Sequence, residues 1–144
     1  MKGFLGLCFL VCVGMSILAL SQPAKDTPKT EGPAHESKTT IEGLVRDVAC
    51  PIQNLEATAT HLSLKCLRAC ARSGSPLVIL TQEGDLYFPI SDKMPDTDQR
   101  QRLRPFLGKY VRVSGTVYER KGTHAIAIGE IKELKGVHLT IEDQ

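Results

Sequence analysis

Residues 109–134 constrain this chain more than any other stretch. Over residues 109–119, Val111, Val113 and Val117 fall on one side and Tyr110, Arg112, Thr116 and Tyr118 on the other. A period of two marks a strand whose faces meet different surroundings. Lys121-Gly122 then turns the chain, and residues 123–134 return with Ile126 and Ile128 in phase and Ile131 three residues later. A slip of one residue across Gly129 is what a β-bulge produces, so the returning strand should bend there. A long, bent hairpin of Val and Ile calls for a β-rich domain that curls its sheet around a small core. The chain has no Trp, and past residue 21 its aromatic residues are Tyr87, Phe88, Phe106, Tyr110 and Tyr118, so that core has to be aliphatic.

The upstream segments supply the rest of such a sheet. Residues 39–48 alternate, with Ile41, Gly43 and Val45 on one face and Glu42, Leu44 and Arg46 on the other, and Pro51 stops the strand. Residues 57–72 contain neither Gly nor Pro and have helical composition. On a helical wheel Leu62, Cys66, Ala69 and Cys70 share one face, opposite Lys65, Arg68 and Arg72. Gly74 and Pro76 end that helix. Residues 77–81 are a continuous apolar run, Glu83-Gly84-Asp85 is a turn, and residues 86–90 alternate through Leu86, Phe88 and Ile90. Pro89 removes a ladder donor, which places it at an edge or a bulge. Asp96 and Gln99 have capping-box spacing for a second helix over residues 96–107 that buries Leu103, Phe106 and Leu107. Pro105 should split it into short turns before Gly108 closes it. Residues 136–142 suit a short terminal strand. The order strand, helix, strand, strand, helix, strand, strand predicts a mainly β fold with two helices over residues 39–144. The arrangement that fits best is a five-stranded OB-like barrel, with its usual helix between the third and fourth strands. An open five-stranded α+β sheet is the alternative.

The N-terminal part reads differently. Lys2 is followed by residues 3–20 without an ionisable acid or base, and Ala19 and Ser21 are the small residues a signal peptidase reads. Residues 1–21 therefore read as a cleavable signal peptide rather than a membrane span, since no Lys/Arg cluster follows as a stop-transfer flank. Cys8 and Cys12 follow the bulky Leu7 and Val11, which argues against a lipid-modified cysteine. Residues 22–38 carry mixed charge and prolines with no aliphatic side chain larger than Ala, the composition of a disordered linker, in which His35 is solvated. The expected location is periplasmic or secreted. A net charge of +2 demands no polyanionic partner.

Further motifs punctuate the folded part. Gly43, Val45, Asp47 and Cys50 form G-x-V-x-D-x-x-C, and Cys66, Cys70 and Gly74 form C-x-x-x-C-x-x-x-G. Gly84 and Tyr87 form G-x-x-Y, and Gly108, Val111, Val113 and Gly115 form G-x-x-V-x-V-x-G. Together, over about residues 39–134, these resemble a group of small exported bacterial OB-like domains of uncharacterised function. The resemblance implies an OB-like fold and a location outside the cytoplasm, and it carries over no catalytic residue.

Past residue 21 the cysteines are Cys50, Cys66 and Cys70, an odd number for an exported protein. Cys66 and Cys70 stack one turn apart on a helix, where a mutual disulfide is strained. One reading is a structural disulfide from Cys50 to Cys66 or Cys70, with the third thiol packed as a small hydrophobe. The other is a Zn²⁺ or Cu⁺ site on all three thiols with a fourth ligand. His61 is a candidate for that ligand only if the helix begins after it, and Asp47 is a second. A carboxylate in D-x-x-C at a strand end also suits the capping of a turn. No catalytic triad, paired acid and base, H-E-x-x-H or phosphate loop occurs, and His124 and His138 stand alone on strand-like segments. The expectation is therefore not an enzyme but an exported binding or interaction module with a structural disulfide and no required cofactor; its partner or ligand is unknown. Metal handling is the alternative. Oligonucleotide or oligosaccharide binding on the barrel face, using Tyr87 and Tyr118 with Arg46, Arg120 and Lys121, is a third option that near-neutral charge disfavours for nucleic acid.

Overall fold

The computed structural model describes residues 35–143; the leader, Cys8, Cys12 and residues 22–34 of the linker lie outside them. Strand β1 (His35–Asp47) is followed by a short helix α1 (Ala49–Gln53), strand β2 (His61–Leu62) and helix α2 (Leu64–Arg72). Next come β3 (Leu77–Leu80), β4 (Leu86–Ile90) and α3 (Arg100–Leu103), which runs into a 3₁₀ turn at Arg104–Phe106. The chain closes with β5 (Tyr110–Arg120), β6 (Thr123–Glu133) and β7 (Thr140–Ile141).

Five strands form a closed barrel in the order β1-β3-β4-β6-β5. All pairings are antiparallel except β4 with β6, where Tyr87 faces His124 and Ile90 faces Ala127. This is the OB-like arrangement, mainly β with short helices. Strand β1 is long because it serves two neighbours: residues 35–44 pair with β5 and residues 44–47 with β3. Gly43 sits at that handover, where a Cβ would come 2.4 Å from the Leu80 carbonyl oxygen. The turn at Lys121 and Gly122 has positive φ at both residues (49° and 75°), as a tight two-residue hairpin requires. The register between β5 and β6 shifts by one, with Ser114 opposite Glu130 and Gly115 opposite Ile128. Gly129 is the extra residue, the expected bulge. Arg102 of α3 donates to the carbonyls of Ile128 and Gly129, tying the helix to the bulge.

Two apolar clusters follow from the alternation. Ile41, Val45, Ile79, Val111, Val113, Val117, Ile126 and Ile128 fill the barrel, and Leu103 of α3 plugs it. Leu44, Leu80 and Tyr110, on the opposite faces of their strands, are buried against Ala59, Leu62 and Leu67, with Val137, Leu139 and Ile141 packed on the edge. The second cluster fixes α2, β2 and β7 to the outer wall, each large aliphatic contributing ~1.5–3 kcal/mol on full burial. None of the described helices is long and apolar enough to cross a membrane.

Several boundaries differ from expectation. Strand β1 begins at His35, so it takes in the last four residues assigned to the linker. Pro51 lies inside α1 rather than stopping a strand, in the first turn where a missing N–H is harmless. The helix expected over residues 57–72 begins only at Leu64, for three reasons. Residues 61–62 pair in parallel with β7, the Ser63 hydroxyl accepts from the Cys66 amide at 3.1 Å, and the Asp143 carboxylate accepts from the Leu64 and Lys65 amides at 2.8 and 2.7 Å. Its buried face centres on Leu67, about 100° round the helix from Cys66, so the thiols occupy a flank. Asp96 does not cap the second helix; its carboxylate accepts from the Ser91 amide at 2.6 Å, and α3 starts after Gln99. The split at Pro105 is present. Pro89 lies where β4 has run past its paired stretch of β3 and keeps only β6 as neighbour, a local edge within a closed barrel.

Candidate functional site

The end of β1 places the first thiol. Asp47 is the last residue of the strand, and its Oδ2 accepts from the Cys50 amide at 2.9 Å, holding the first turn of α1 against the barrel. The other two thiols project from α2 one turn apart, on the flank beside the buried Leu67. The three sulfur atoms all lie within 4.8 Å of one another, the Cys66 side exposed and Cys50 and Cys70 half-buried. The Cys50 and Cys66 sulfurs are 3.2 Å apart, well beyond a disulfide bond of about 2.05 Å. All three are free thiols.

Those separations suit a thiophilic ion. With Zn–S near 2.3 Å, sulfurs at tetrahedral angles stand about 3.8 Å apart. From 3.2 Å the Cys50–Cys66 pair must open by about half an ångström, and a pair at the 4.8 Å limit must close by about one. Burial foremost, then the Cys66 sulfur and the Asp47 carboxylate, pushes the Cys50 thiol up to about 12. Burial followed by the Asp47 charge raises Cys70. Protonated thiols beside a carboxylate are poor nucleophiles, while the same negative surroundings attract a cation.

At the end of β1 the polar groups are unusual. Arg46 and Asp47 are 2% and 0% exposed. As successive strand residues they point to opposite faces. Arg46 Nη1 donates to the Thr58 carbonyl at 2.9 Å, pinning the loop that precedes β2, and its Nε has no partner. Asp47 Oδ1 is buried and also has no partner. The burial of both was not legible in the alternation of β1, which put Arg46 on the face it shares with Glu42 and Leu44. D-x-x-C was the one local signal for Asp47.

His61 does not join the thiols. The helix does begin after it, the condition its candidacy required, but pairing of β2 with β7 turns it toward the C-terminal segment, where Nε2 lies 3.2 Å from Glu142 Oε1. His124 stacks on Tyr87, ring centroids 5.1 Å apart, with Asp85 3.9 Å away. With Arg46 buried, it leaves the proposed nucleic-acid face. Beside Tyr87 and Tyr110 runs a cleft of about 380 Å³ lined by Glu42, Glu83 and Asp85, whose charge repels phosphates. A roomier cleft of about 610 Å³ lies over the bulge between β5 and β6, lined by Lys38, Thr40, Ser114, Thr116 and Glu130 among others. It holds no thiol or histidine, so the space and the reactive groups are in different places. No family model matches this chain and neither a curated protein nor a solved structure does, which leaves the three thiols and the buried Asp47 as the features that speak to its chemistry.

Proposed function

We propose that this is an exported, non-enzymatic barrel domain that holds a thiophilic metal ion, Zn²⁺ or Cu⁺, on Cys50, Cys66 and Cys70. The observation that carries the reading is the mutual approach of three free sulfurs, from two elements anchored separately to the barrel, to within 4.8 Å. Only two of them are needed for a disulfide; a metal ion uses all three. Soft ligands select Zn²⁺ or Cu⁺ over Mg²⁺ or Ca²⁺. Export rests on the leader pattern of residues 1–21.

A second reading is favoured by one distance. The 3.2 Å between the Cys50 and Cys66 sulfurs is short enough that oxidation would join them and staple residues 50–66, a loop closure of ~3 kcal/mol. Cys70→Ser separates the two. A metal site loses its ion with the third thiol, whereas a Cys50–Cys66 bridge survives. Stoichiometric metal in the wild type that disappears in Cys70→Ser supports the metal site. A metal-free wild type two hydrogens lighter than its fully reduced form, unchanged in that respect by Cys70→Ser, overturns it.

A further inference from the structure

We propose that Arg68, Arg72 and Arg104 form a binding site for the phosphate group of a small phosphate monoester. The site uses none of the thiols, so it goes beyond the metal-binding reading and stands or falls apart from it. The starting point is a set of cations that the fold leaves unused. Five arginines lie between residues 68 and 104. Two of them are spent: Arg100 forks onto the Asp98 carboxylate, and Arg102 donates to the carbonyls of Ile128 and Gly129. Among the described residues the side chains of Arg68, Arg72 and Arg104 enter neither an ion pair nor a hydrogen bond. The carboxylate that feels the Arg104 charge is Asp98, already taken by Arg100. Yet the three line one cleft of about 270 Å³, whose other walls are Ala71 and Leu107 and whose lining holds no carboxylate.

Helix chemistry explains only part of this. Arg72 stands in the last turn of α2, where a cation complements the helix dipole. Arg68 lies one turn earlier, and like charges four residues apart repel. Helix α2 has no acidic residue to offset them. Arg104 adds a third cation from the 3₁₀ turn after α3. An anion in the cleft would relieve that repulsion. Arginine is always charged, and its planar fork matches oxyanions. A carboxylate has two oxygens, which a single fork saturates. A phosphate monoester offers three acceptor oxygens and close to two charges, one oxygen for each fork. Ala71 and Leu107, both packed against the barrel core, give an apolar wall for the ester's organic part. Pockets for drug-sized ligands start at about 300 Å³, so this cleft suits a phosphate with a small substituent rather than a polymer. The chain's net charge is only +2, which makes the attraction a property of the cleft and not of the whole surface.

The test is a titration of the purified protein with phenyl phosphate at constant ionic strength, read from the ¹⁵N resonances of the arginine Nε–H groups. A second arm measures sedimentation with phosphatidylcholine vesicles that contain phosphatidic acid, whose headgroup is the same monoester. The expected result is saturable binding by the wild type and a loss of affinity of roughly tenfold or more in each of Arg68→Gln, Arg72→Gln and Arg104→Gln. All three side chains are exposed, so these variants should unfold at the wild-type midpoint. Lys135→Gln removes the same charge outside the cleft lining and should leave the affinity within about twofold. Binding of phenyl phosphate alone supports the site and assigns it a soluble ester. Sedimentation abolished by the same three substitutions supports it and assigns a lipid headgroup. Saturable binding of neither probe, or a loss in Lys135→Gln equal to that in the three arginine variants, overturns it.

Discussion

Strand β1 passes through two kinds of protein interior. Its middle gives Ile41 and Val45 to a barrel core whose members are all aliphatic. Its end buries Arg46 and Asp47 equally, on opposite faces of the strand, and each leaves one polar atom without a partner. The barrel is finished: nothing in it asks for a further group. The end of the strand is not, and Asp47 there holds the turn that carries Cys50. A fold that tolerates two buried ionisable side chains within two residues, in a domain of this size, places its chemistry there and its stability elsewhere. Space alone would have pointed to the cleft over the bulge, whose lining holds no thiol or histidine.

The sharpest way to test this division is to damage the finished half. Leu103→Ala empties a fully buried position that plugs the barrel and should cost about 2–5 kcal/mol in chemical denaturation, while the folded fraction still takes up metal. A smaller loss is expected at the end of β1. Arg46→Ala leaves the Thr58 carbonyl unpaired and should cost about 1–3 kcal/mol. Arg46→Met should cost less than Arg46→Ala because it fills the buried space, and less than the lost hydrogen bond alone because it also removes a guanidinium whose Nε is unmet. A loss in Arg46→Met of about 3 kcal/mol or more would show that this arginine is not held at an energetic disadvantage, which breaks the comparison.

Much of the finished half was legible in the chain, and for a physical reason. The alternation in β5 and β6, the turn at Lys121-Gly122 and the slip at Gly129 are local patterns, and each is read directly in the barrel. The start of α2 was not, because its determinants are remote. Ser63 is an adjacent cap, but Asp143, which accepts from two amides of the first turn, is about 80 residues away, as is the β7 strand that holds residues 61–62 extended. The burial face of α2 was misplaced toward Cys66 and Cys70 for a related reason: cysteine counts as apolar, so a wheel drawn from composition favours the thiols over Leu67. The three candidate ligands were visible as cysteines; His61 was placed among them by its position in the chain, and its partner Glu142 removes it.

Two finer predictions sharpen the picture of α2. Ser63→Ala should cost about 0.5–2 kcal/mol as a lost N-cap, toward the lower end because Asp143 still serves the adjoining amides. A loss well above that range, measured by thermal unfolding, would mean that the cap also anchors the barrel contact. The smallest effects belong to the other flank of the same helix. Arg68 and Arg72 are exposed beside a shallow cleft shared with Arg104, and alanine at either should change stability by no more than about 0.5 kcal/mol.

The central claim is that three sulfurs brought together on the outer wall of a small barrel are ligands of one ion. Its most direct test is a native mass spectrum of the protein recovered from the exported fraction without chelator or oxidant. The account predicts one zinc or copper ion per chain, with Cys50, Cys66 and Cys70 alkylated only after the ion is removed. A chain that is metal-free, carries a Cys50–Cys66 disulfide, and gains no ion on reduction and addition of Zn²⁺ or Cu⁺ would contradict it.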